Sequence, residues 1–391
     1  MLPVSQHIAE RARGLELTAA ERSRYSRHVL LPDVGLDGQK RLKAARILVV
    51  GAGGLGAPVS YYLAAAGVGT IGIVEFDTVD VTNLQRQILY TDADVGTSKL
   101  DAAVRRLAAL APHSQFVKVA EPLAESNAER LIDAYDLVID GTDNFSTRYL
   151  INDVAARLGK PNVYGSIFRF DGQASVFYAP HGPCYRCLFP SPPPPEAAPN
   201  CAEGGVLGVL PGQIGLIQAT EALKLVLGIG TSLVGRLLTF DALSLRFDEF
   251  KLQRDPDCAA CGARRGALPL VAPLATCAPV VAAPEQDELI TPPALAALRD
   301  SGSPHVLLDV RSPGEIAVTA IAGHRSIPVD AVASRAHALP RDVPLVCYCK
   351  SGARSLRAVR TLRAQGFSLA MSLDGGILAW IDQVAPDLPR Y

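Results

Sequence analysis

The apolar run Pro344-Leu345-Val346 leads into Cys347-Tyr348-Cys349-Lys350-Ser351-Gly352-Ala353-Arg354-Ser355, placing a thiol at the end of a strand and an arginine five residues later. A short loop of small residues can turn several backbone N–H groups inward and form a concavity that favours an anion. A thiolate held there beside Arg354 would have a depressed pKa and be nucleophilic. Strand alternation puts Cys347 and Tyr348 on opposite faces, and Cys349 begins the loop. Cys349 rather than Cys347 is therefore expected to reach the anion pocket.

A second constellation lies near the N-terminus. Ile47-Leu48-Val49-Val50 feeds into Gly51-Ala52-Gly53-Gly54-Leu55-Gly56, and Ala57 to Ala66 reads as a helix. Gly51, Gly53 and Gly56 stand at the spacing of a dinucleotide-type strand, turn and helix. Glycine there lets the backbone approach phosphate at a helix N-terminus. Glu75 follows 19 residues after Gly56, where a carboxylate could bond both ribose hydroxyls. Taken alone, this pattern suggests a nicotinamide-dependent oxidoreductase. The segment Thr82-Asn83-Leu84-Gln85-Arg86, then Lys99, then Asp143-Asn144 after the strand Leu137–Asp140, point elsewhere. A nicotinamide ring needs no such set around its phosphates, whereas a triphosphate does. Cations offset charge on transferred phosphoryl oxygens, and an aspartate can hold Mg2+ between them.

Two Cys-x-x-Cys pairs, Cys184/Cys187 and Cys258/Cys261, could each supply two thiolates to one tetrahedral Zn2+. Their separation is much longer than in a compact zinc ribbon, so joining them depends on the fold. Neither pair sits in a thioredoxin-like context. Cys201 follows the run Pro190-Ser191-Pro192-Pro193-Pro194-Pro195, on a segment expected to be mobile.

These residues need elements to hold them, and 391 residues suffice for two or three domains. Forty-nine per cent hydrophobic residues supply ample core. A net charge of -1 argues against a nucleic-acid or anionic-membrane binder. The N-terminal residues lack the apolar run of a signal peptide. The longest apolar region, Val206 to Gly230, is interrupted by Gln213, Gln218, Glu221 and Lys224 and reads as a core helix. Eight cysteines without a secretory signal suggest metal and thiol chemistry in the cytoplasm. Over residues 15–261 a leading helix precedes strands at Ala45–Val50, Thr70–Glu75, Gln115–Val119, Leu137–Asp140, Asn162–Gly165 and Gln173–Tyr178, alternating with helices. The expected fold class is α/β, a Rossmann-like domain with a mostly parallel sheet and helices on both faces. Residues 262–286, rich in Ala, Pro and Val, read as a linker. Residues 287–391 form a smaller α/β domain.

These motifs carry two resemblances. The Cys-x-x-Gly-x-Arg loop, with Leu307-Leu308-Asp309-Val310-Arg311-Ser312-Pro313-Gly314-Glu315 and Leu373-Asp374-Gly375-Gly376, resembles the rhodanese sulfurtransferases, whose cysteine carries a persulfide. The preceding domain resembles the ubiquitin-activating-type adenylating enzymes of the MoeB/ThiF group. That resemblance implies ATP contacts from Gly54, Glu75, Thr82 to Arg86, Lys99 and Asp143-Asn144, and a zinc site uniting the two Cys-x-x-Cys pairs. Family members usually carry Asp where this chain has Glu75, one methylene longer. Arg24-Tyr25-Ser26-Arg27 resembles a segment that crosses the family's homodimer, which would bring Arg27 to the γ-phosphate bound by the other subunit. Cys201 resembles a crossover-loop cysteine of fused adenylating–rhodanese proteins, thought to attack the carrier after sulfur transfer. The implied function is adenylation of the C-terminal glycine of a small ubiquitin-like sulfur carrier ending in Gly-Gly, then sulfur transfer from Cys349. The sulfur donor would be a cysteine desulfurase persulfide or thiosulfate. Carriers of this kind serve molybdenum-cofactor, thiamine, cysteine, tRNA-thiolation and related sulfur pathways, and the resemblance does not choose among them. The alternative is a carrier scaffold or adenylating enzyme in which the rhodanese part is accessory.

Overall fold

The structure is a computed structural model describing residues 2–193, 205–263 and 284–391. The chain divides into two compact units, Met1–Cys277 and Ala278–Tyr391.

The first unit opens with four helices, α1 (Pro3–Ala12), α2 (Ala19–Arg24), α3 (Ser26–Val29) and α4 (Gly35–Ala44), where the sequence suggested one. Val4 and Ile8 of α1 lie in the core, so this unit begins before residue 15. Then follow β1 (Arg46–Val50), α5 (Gly56–Ala65), β2 (Thr70–Val74), α6 (Lys99–Leu110), β3 (Gln115–Val119), α7 (Glu125–Asp133), β4 (Leu137–Asp140), α8 (Phe145–Leu158), β5 (Asn162–Phe168), β6 (Asp171–Phe177), α9 (Tyr185–Leu188), α10 (Leu210–Leu227), β7 (Arg236–Asp241) and β8 (Arg246–Lys251). The sheet order is β3-β2-β1-β4-β5-β6-β7-β8. The first five positions pair in parallel and the last three antiparallel.

Burial explains the composition of the central strands. Ile47 and Val49 of β1 enter the core on one face, and Leu48 and Val50 enter the core on the other. A strand covered on both sides reads as continuous hydrophobics rather than alternation. At the far edge, β8 is almost wholly exposed and carries Arg246, Asp248, Glu249 and Lys251. Charge suits an edge strand that must not recruit another, and it leaves β8 without a clear hydrophobic pattern. Helix α10 contains Gln218 and Glu221, both buried and hydrogen-bonded. Among the described residues no helix is long and apolar enough to cross a membrane.

The second unit comprises β9 (Leu289–Ile290), α11 (Pro292–Asp300), β10 (Val306–Asp309), α12 (Pro313–Val318), β11 (Arg325–Ser326), α13 (Val332–Arg335), β12 (Leu345–Tyr348), α14 (Ala353–Ala364), β13 (Ala370–Leu373) and α15 (Gly376–Gln383). Its five strands, ordered β11-β10-β12-β13-β9, are all parallel. The buried central strand β12 ends at Tyr348, and Cys349 follows immediately. Helix α14 carries Arg354, Arg357, Arg360 and Arg363 at three-residue spacing. They pair with Glu315, Asp330, Glu288 and Asp287, tying the helix to three other segments.

The turn after β1 leaves no room for a side chain. Gly51 has φ +90°, and a Cβ on Gly56 would lie 1.9 Å from the Gly51 carbonyl oxygen. Gly56→Ala should therefore destabilise the first unit by about 3 kcal/mol or more. Chemical denaturation measures this, and an unchanged midpoint would contradict the packing described.

Candidate active site and metal centre

The carboxyl ends of β1, β2 and β4 meet where the strand order reverses between β1 and β4, the place where doubly wound sheets bind ligands. The glycine turn, Gly51 to Gly56, leads from β1 into α5. Arg86 and Gln87 lie over it: Arg86 Cγ is 3.7 Å from where a Gly54 Cβ would sit, and Gln87 Nε2 is 3.5 Å from that of Gly53. A turn of 3-10 helix at Val81–Asn83 presents this segment, capped by Asp80, which accepts from Thr82 N at 2.8 Å. Arg86 also donates to Thr82 O at 3.0 Å. Leu84 packs against the core, and Gln85 is exposed.

Glu75 accepts from three backbone amides. Its Oε2 accepts from Ala52 N at 3.0 Å, and its Oε1 accepts from Phe76 N and Asp77 N at 2.9 and 3.0 Å. The carboxylate thereby braces the glycine turn. Lys99, at the start of α6, is 6% exposed and pairs with Asp77 at 3.3 Å. Asp77 was not foreseen; it is one more acidic residue just past β2, without motif spacing.

Beyond β4, Asp143 is exposed while Asn144 caps α8, accepting from Thr147 N at 2.9 Å. The cap is thus Asn144, and Asp143 is left at the open edge of the sheet. Arg148 holds this loop, donating to Asp140 Oδ2 at 3.3 Å and Thr142 O at 3.2 Å. Burial raises the Asp140 pKa, opposed by Arg148. Arg27, on α3, is exposed. Mg2+ suits the hard oxygen donor that Asp143 offers at this edge.

In the second unit Cys349 lies at the end of the central strand and is only 1% exposed. Gly352 N donates to its Sγ at 3.1 Å, and Ser355 Oγ lies 3.5 Å away. Ser372 Oγ donates to Ser355 Oγ at 2.8 Å, holding that hydroxyl in place. Two of the loop's carbonyls are taken up by α15. Cys349 O accepts from Ile377 N at 2.9 Å and Lys350 O from Leu378 N at 3.2 Å, both at the start of α15. Arg354, five residues on, is paired with a carboxylate. Its Nη1 and Nη2 donate to both carboxylate oxygens of Glu315 at 2.9 and 2.7 Å. The anion cradle of Cys349 is built on Gly352 N–H, with the Ser355 hydroxyl beside it, whose single proton goes either to Gly352 O at 3.0 Å or to the sulfur. The sequence did not single out Ser355, Ser372 or this role of Glu315, because their contacts arise only when β13 and α12 pack beside the loop.

The two Cys-x-x-Cys pairs come together despite their separation. All four sulfur atoms lie within 4.8 Å of one another. Cys184 and Cys258 are 3.6 Å apart, and Cys187 and Cys261 are 3.4 Å apart. Tetrahedral zinc with Zn–S bonds of about 2.3 Å requires sulfurs roughly 3.8 Å apart, so the donors fit. The first pair brackets α9, which α8 anchors: Asp153 accepts from Arg186 Nε and Nη2, both at 2.7 Å, and Asn152 accepts from Tyr185 N at 2.7 Å. Cys201 lies outside the described residues.

Family comparisons agree with this layout. The pattern of the ThiF family matches residues 25–260, and that of the rhodanese-like domain matches residues 291–383. The chain belongs to the ThiF family, with a rhodanese-like domain joined to it. It is 48% identical over 384 residues to the probable adenylyltransferase/sulfurtransferase MoeZ of Mycobacterium tuberculosis, covering 96% of each chain. It is 54% identical over 250 residues to the sulfur carrier protein adenylyltransferase of Thermus thermophilus, covering 63% of this chain and 92% of that one. The ThiF-family fold also matches a crystal structure of E. coli MccB with ATP, at a TM-score of 0.54 and 20% identity, over 64% of this chain and 75% of that one. The protein is an enzyme of the adenylyltransferase and sulfurtransferase class.

The cradle makes the two strand-end thiols unequal. Burial pushes the Cys347 thiol up to about 12, so it stays protonated through neutral and mildly alkaline pH. Brief treatment with iodoacetamide at pH 7, read by peptide mass spectrometry, should label Cys349 first. Equal labelling would refute a cradle specific to Cys349.

Proposed function

We propose that the first unit adenylates the C-terminal Gly-Gly tail of a small ubiquitin-like sulfur carrier, and that Cys349 of the second unit supplies its sulfur. The observation that carries this reading is the Cys349 cradle in a chain whose other unit belongs to the ThiF family. The name of the Thermus thermophilus relative, a sulfur carrier protein adenylyltransferase, supports the choice of substrate.

In this reading the glycine turn receives ATP phosphates on the N-terminus of α5. The carrier carboxylate attacks the α-phosphorus, the bond to the β-phosphate oxygen breaks, and pyrophosphate leaves. Arg86 and Lys99 offset the charge that accumulates on the departing oxygens. Catalysis here is chiefly positioning and electrostatics. Asp143 would hold Mg2+, which when bound supplies further positive charge beside the phosphates. Glu75 keeps the turn in shape.

Cys349 takes the terminal sulfur from a persulfide donor, and the donor's thiolate departs. The outer sulfur of the resulting persulfide attacks the acyl-adenylate carbonyl, AMP leaves, and carrier and Cys349 are joined as an acyl disulfide. Attack by Cys201 or an external thiol on the Cys349 sulfur breaks the S–S bond. The carrier thiocarboxylate leaves with the electron pair, and external thiols reduce the disulfide left behind, becoming oxidised to a disulfide themselves. Gly352 N–H and Ser355 hydroxyl stabilise the Cys349 thiolate whenever it attacks.

We further propose that Cys184, Cys187, Cys258 and Cys261 hold a structural Zn2+, that the enzyme works as a homodimer with Arg27 completing the partner's nucleotide site, and that this thiol chemistry runs in the reducing cytoplasm. Leu30 and Leu31, 71% and 51% exposed beside Arg27, suit a surface covered by a second copy.

Lys99→Ala or Asp143→Ala should lower carrier-dependent ATP–pyrophosphate exchange on the order of 100-fold while thiosulfate sulfurtransferase activity persists. Cys349→Ala should do the reverse, sparing exchange and eliminating thiocarboxylate formation in mass spectra of the carrier. A folded variant that loses both activities would overturn the division of labour.

Elemental analysis should find about one zinc per chain. Stripping it should lower the unfolding temperature of the first unit, since a closed four-thiolate site contributes folding energy and offers no open position. Metal-free protein of unchanged stability would dismiss the zinc proposal.

A further inference from the structure

Arg354 closes the loop that begins at Cys349, where its charge could draw an anionic donor. That charge is engaged within the protein. Glu315 accepts from both terminal guanidinium nitrogens and is held by three further donors: Ser312 N at 3.0 Å, Ser312 Oγ at 2.9 Å and the Tyr391 hydroxyl at 3.2 Å. Arg311 Nη1 in turn donates to the Tyr391 oxygen at 2.6 Å, fixing the phenol. The Glu315 side chain is only 8% exposed, and these donors hold its carboxyl down at about 2. A carboxylate so anchored stays charged and in place at physiological pH.

We infer that Glu315 is a specificity-determining residue of the sulfur-donor step: by neutralising Arg354 it makes the Cys349 loop a poor receptor for small dianions and favours a singly charged persulfide borne on a peptide. This rests on the sulfur-transfer reading of Cys349. With thiosulfate, the Cys349 thiolate attacks the outer sulfur, the S–S bond breaks, and sulfite departs with the bonding pair carrying two charges. With a peptide persulfide the same attack expels a thiolate carrying one charge. A bare guanidinium beside the thiol would favour the dianion more, because the attraction scales with the product of the charges. A guanidinium already paired with a carboxylate loses most of that preference, and the peptide around the persulfide must then provide recognition.

Glu315→Gln tests this in the full-length protein. Glutamine at the third position of α12 still accepts from Ser312 N, so the capping box survives while the negative charge goes. Iodoacetate and iodoacetamide are similar in size and differ by one charge. The ratio of their rates at Cys349 should rise about three- to tenfold in the variant, and the KM for thiosulfate should fall by a similar factor. Alkylation by iodoacetamide and sulfur transfer from a peptide persulfide should stay near wild type. In Glu315→Gln/Arg354→Ala the gain should vanish, showing that it runs through the arginine. Should Glu315→Gln fail to fold, Glu315→Asp shortens the carboxylate's reach and should shift the ratio the same way to a smaller extent. An unchanged ratio in a folded variant, or a gain that persists in the double variant, overturns the assignment. Cys349 that alkylates as described yet accepts sulfur from neither donor would overturn the sulfur-transfer reading and leave the charge assignment standing.

Discussion

The first unit depends on how closely its backbone packs where β1 and β4 end. A Cβ on Gly51 would come within 2.9 Å of the Gly141 carbonyl oxygen, and one on Gly141 within 2.9 Å of the Val50 carbonyl oxygen. Only chains without side chains at those points can bring the β1 turn, the start of α5 and the β4 loop so near. That approach aims the N-terminus of α5 and its unpaired N–H groups at one point. The side chains nearby, Glu75 on Ala52 N and the Tyr90 hydroxyl on Ala52 O at 2.8 Å, stiffen this arrangement. Phosphate binding in such a place is a consequence of backbone geometry, and the charged residues around it adjust its strength.

The Cys349 loop applies the same logic to a different anion. Its carbonyls are satisfied by the first N–H groups of α15, leaving the amide of Gly352 to face the sulfur. Gly376 makes this possible: a Cβ there would lie 2.6 Å from the carbonyl oxygens of Cys349 and Lys350. Both proposed sites thus use a parallel sheet's carboxyl edge, a tight turn and a helix N-terminus. One cradles an external phosphate, the other an internal thiolate.

Much of this was legible before folding was considered. The unbroken hydrophobics of Ile47–Val50 and Leu137–Ile139 announce doubly covered strands, and the glycine spacing after Val50 announces the turn. The proline run and the cysteine pairs were legible as well. The edge strand β8 is not, because an exposed edge places no hydrophobic demand on its residues and Asp248-Glu249 breaks the alternation; β7, inside the sheet, offers only the short stretch Leu237 to Phe240. Helix α1 was missed because its short apolar stripe, Val4 and Ile8, becomes meaningful only against α4 and α10.

Residue types and local spacing by themselves determined the chemistry available here: a thiol at a strand end, a glycine turn after an apolar strand, paired thiols two residues apart. These are short-range facts, set by what each side chain can do and by backbone sterics over a few residues. Which charge faces which group was decided only by the tertiary structure. Arg354 is five residues from Cys349 yet takes its carboxylate from Glu315, 39 positions away. Glu75 reads as a ribose ligand from its spacing, and the fold adds an amide from Ala52, 23 positions away, to its carboxylate. Cys184 finds Cys258 across 74 positions. A hydrogen bond or ion pair forms over about 3 Å, and nothing in the linear order states which distant residue will stand at that distance once the sheets close.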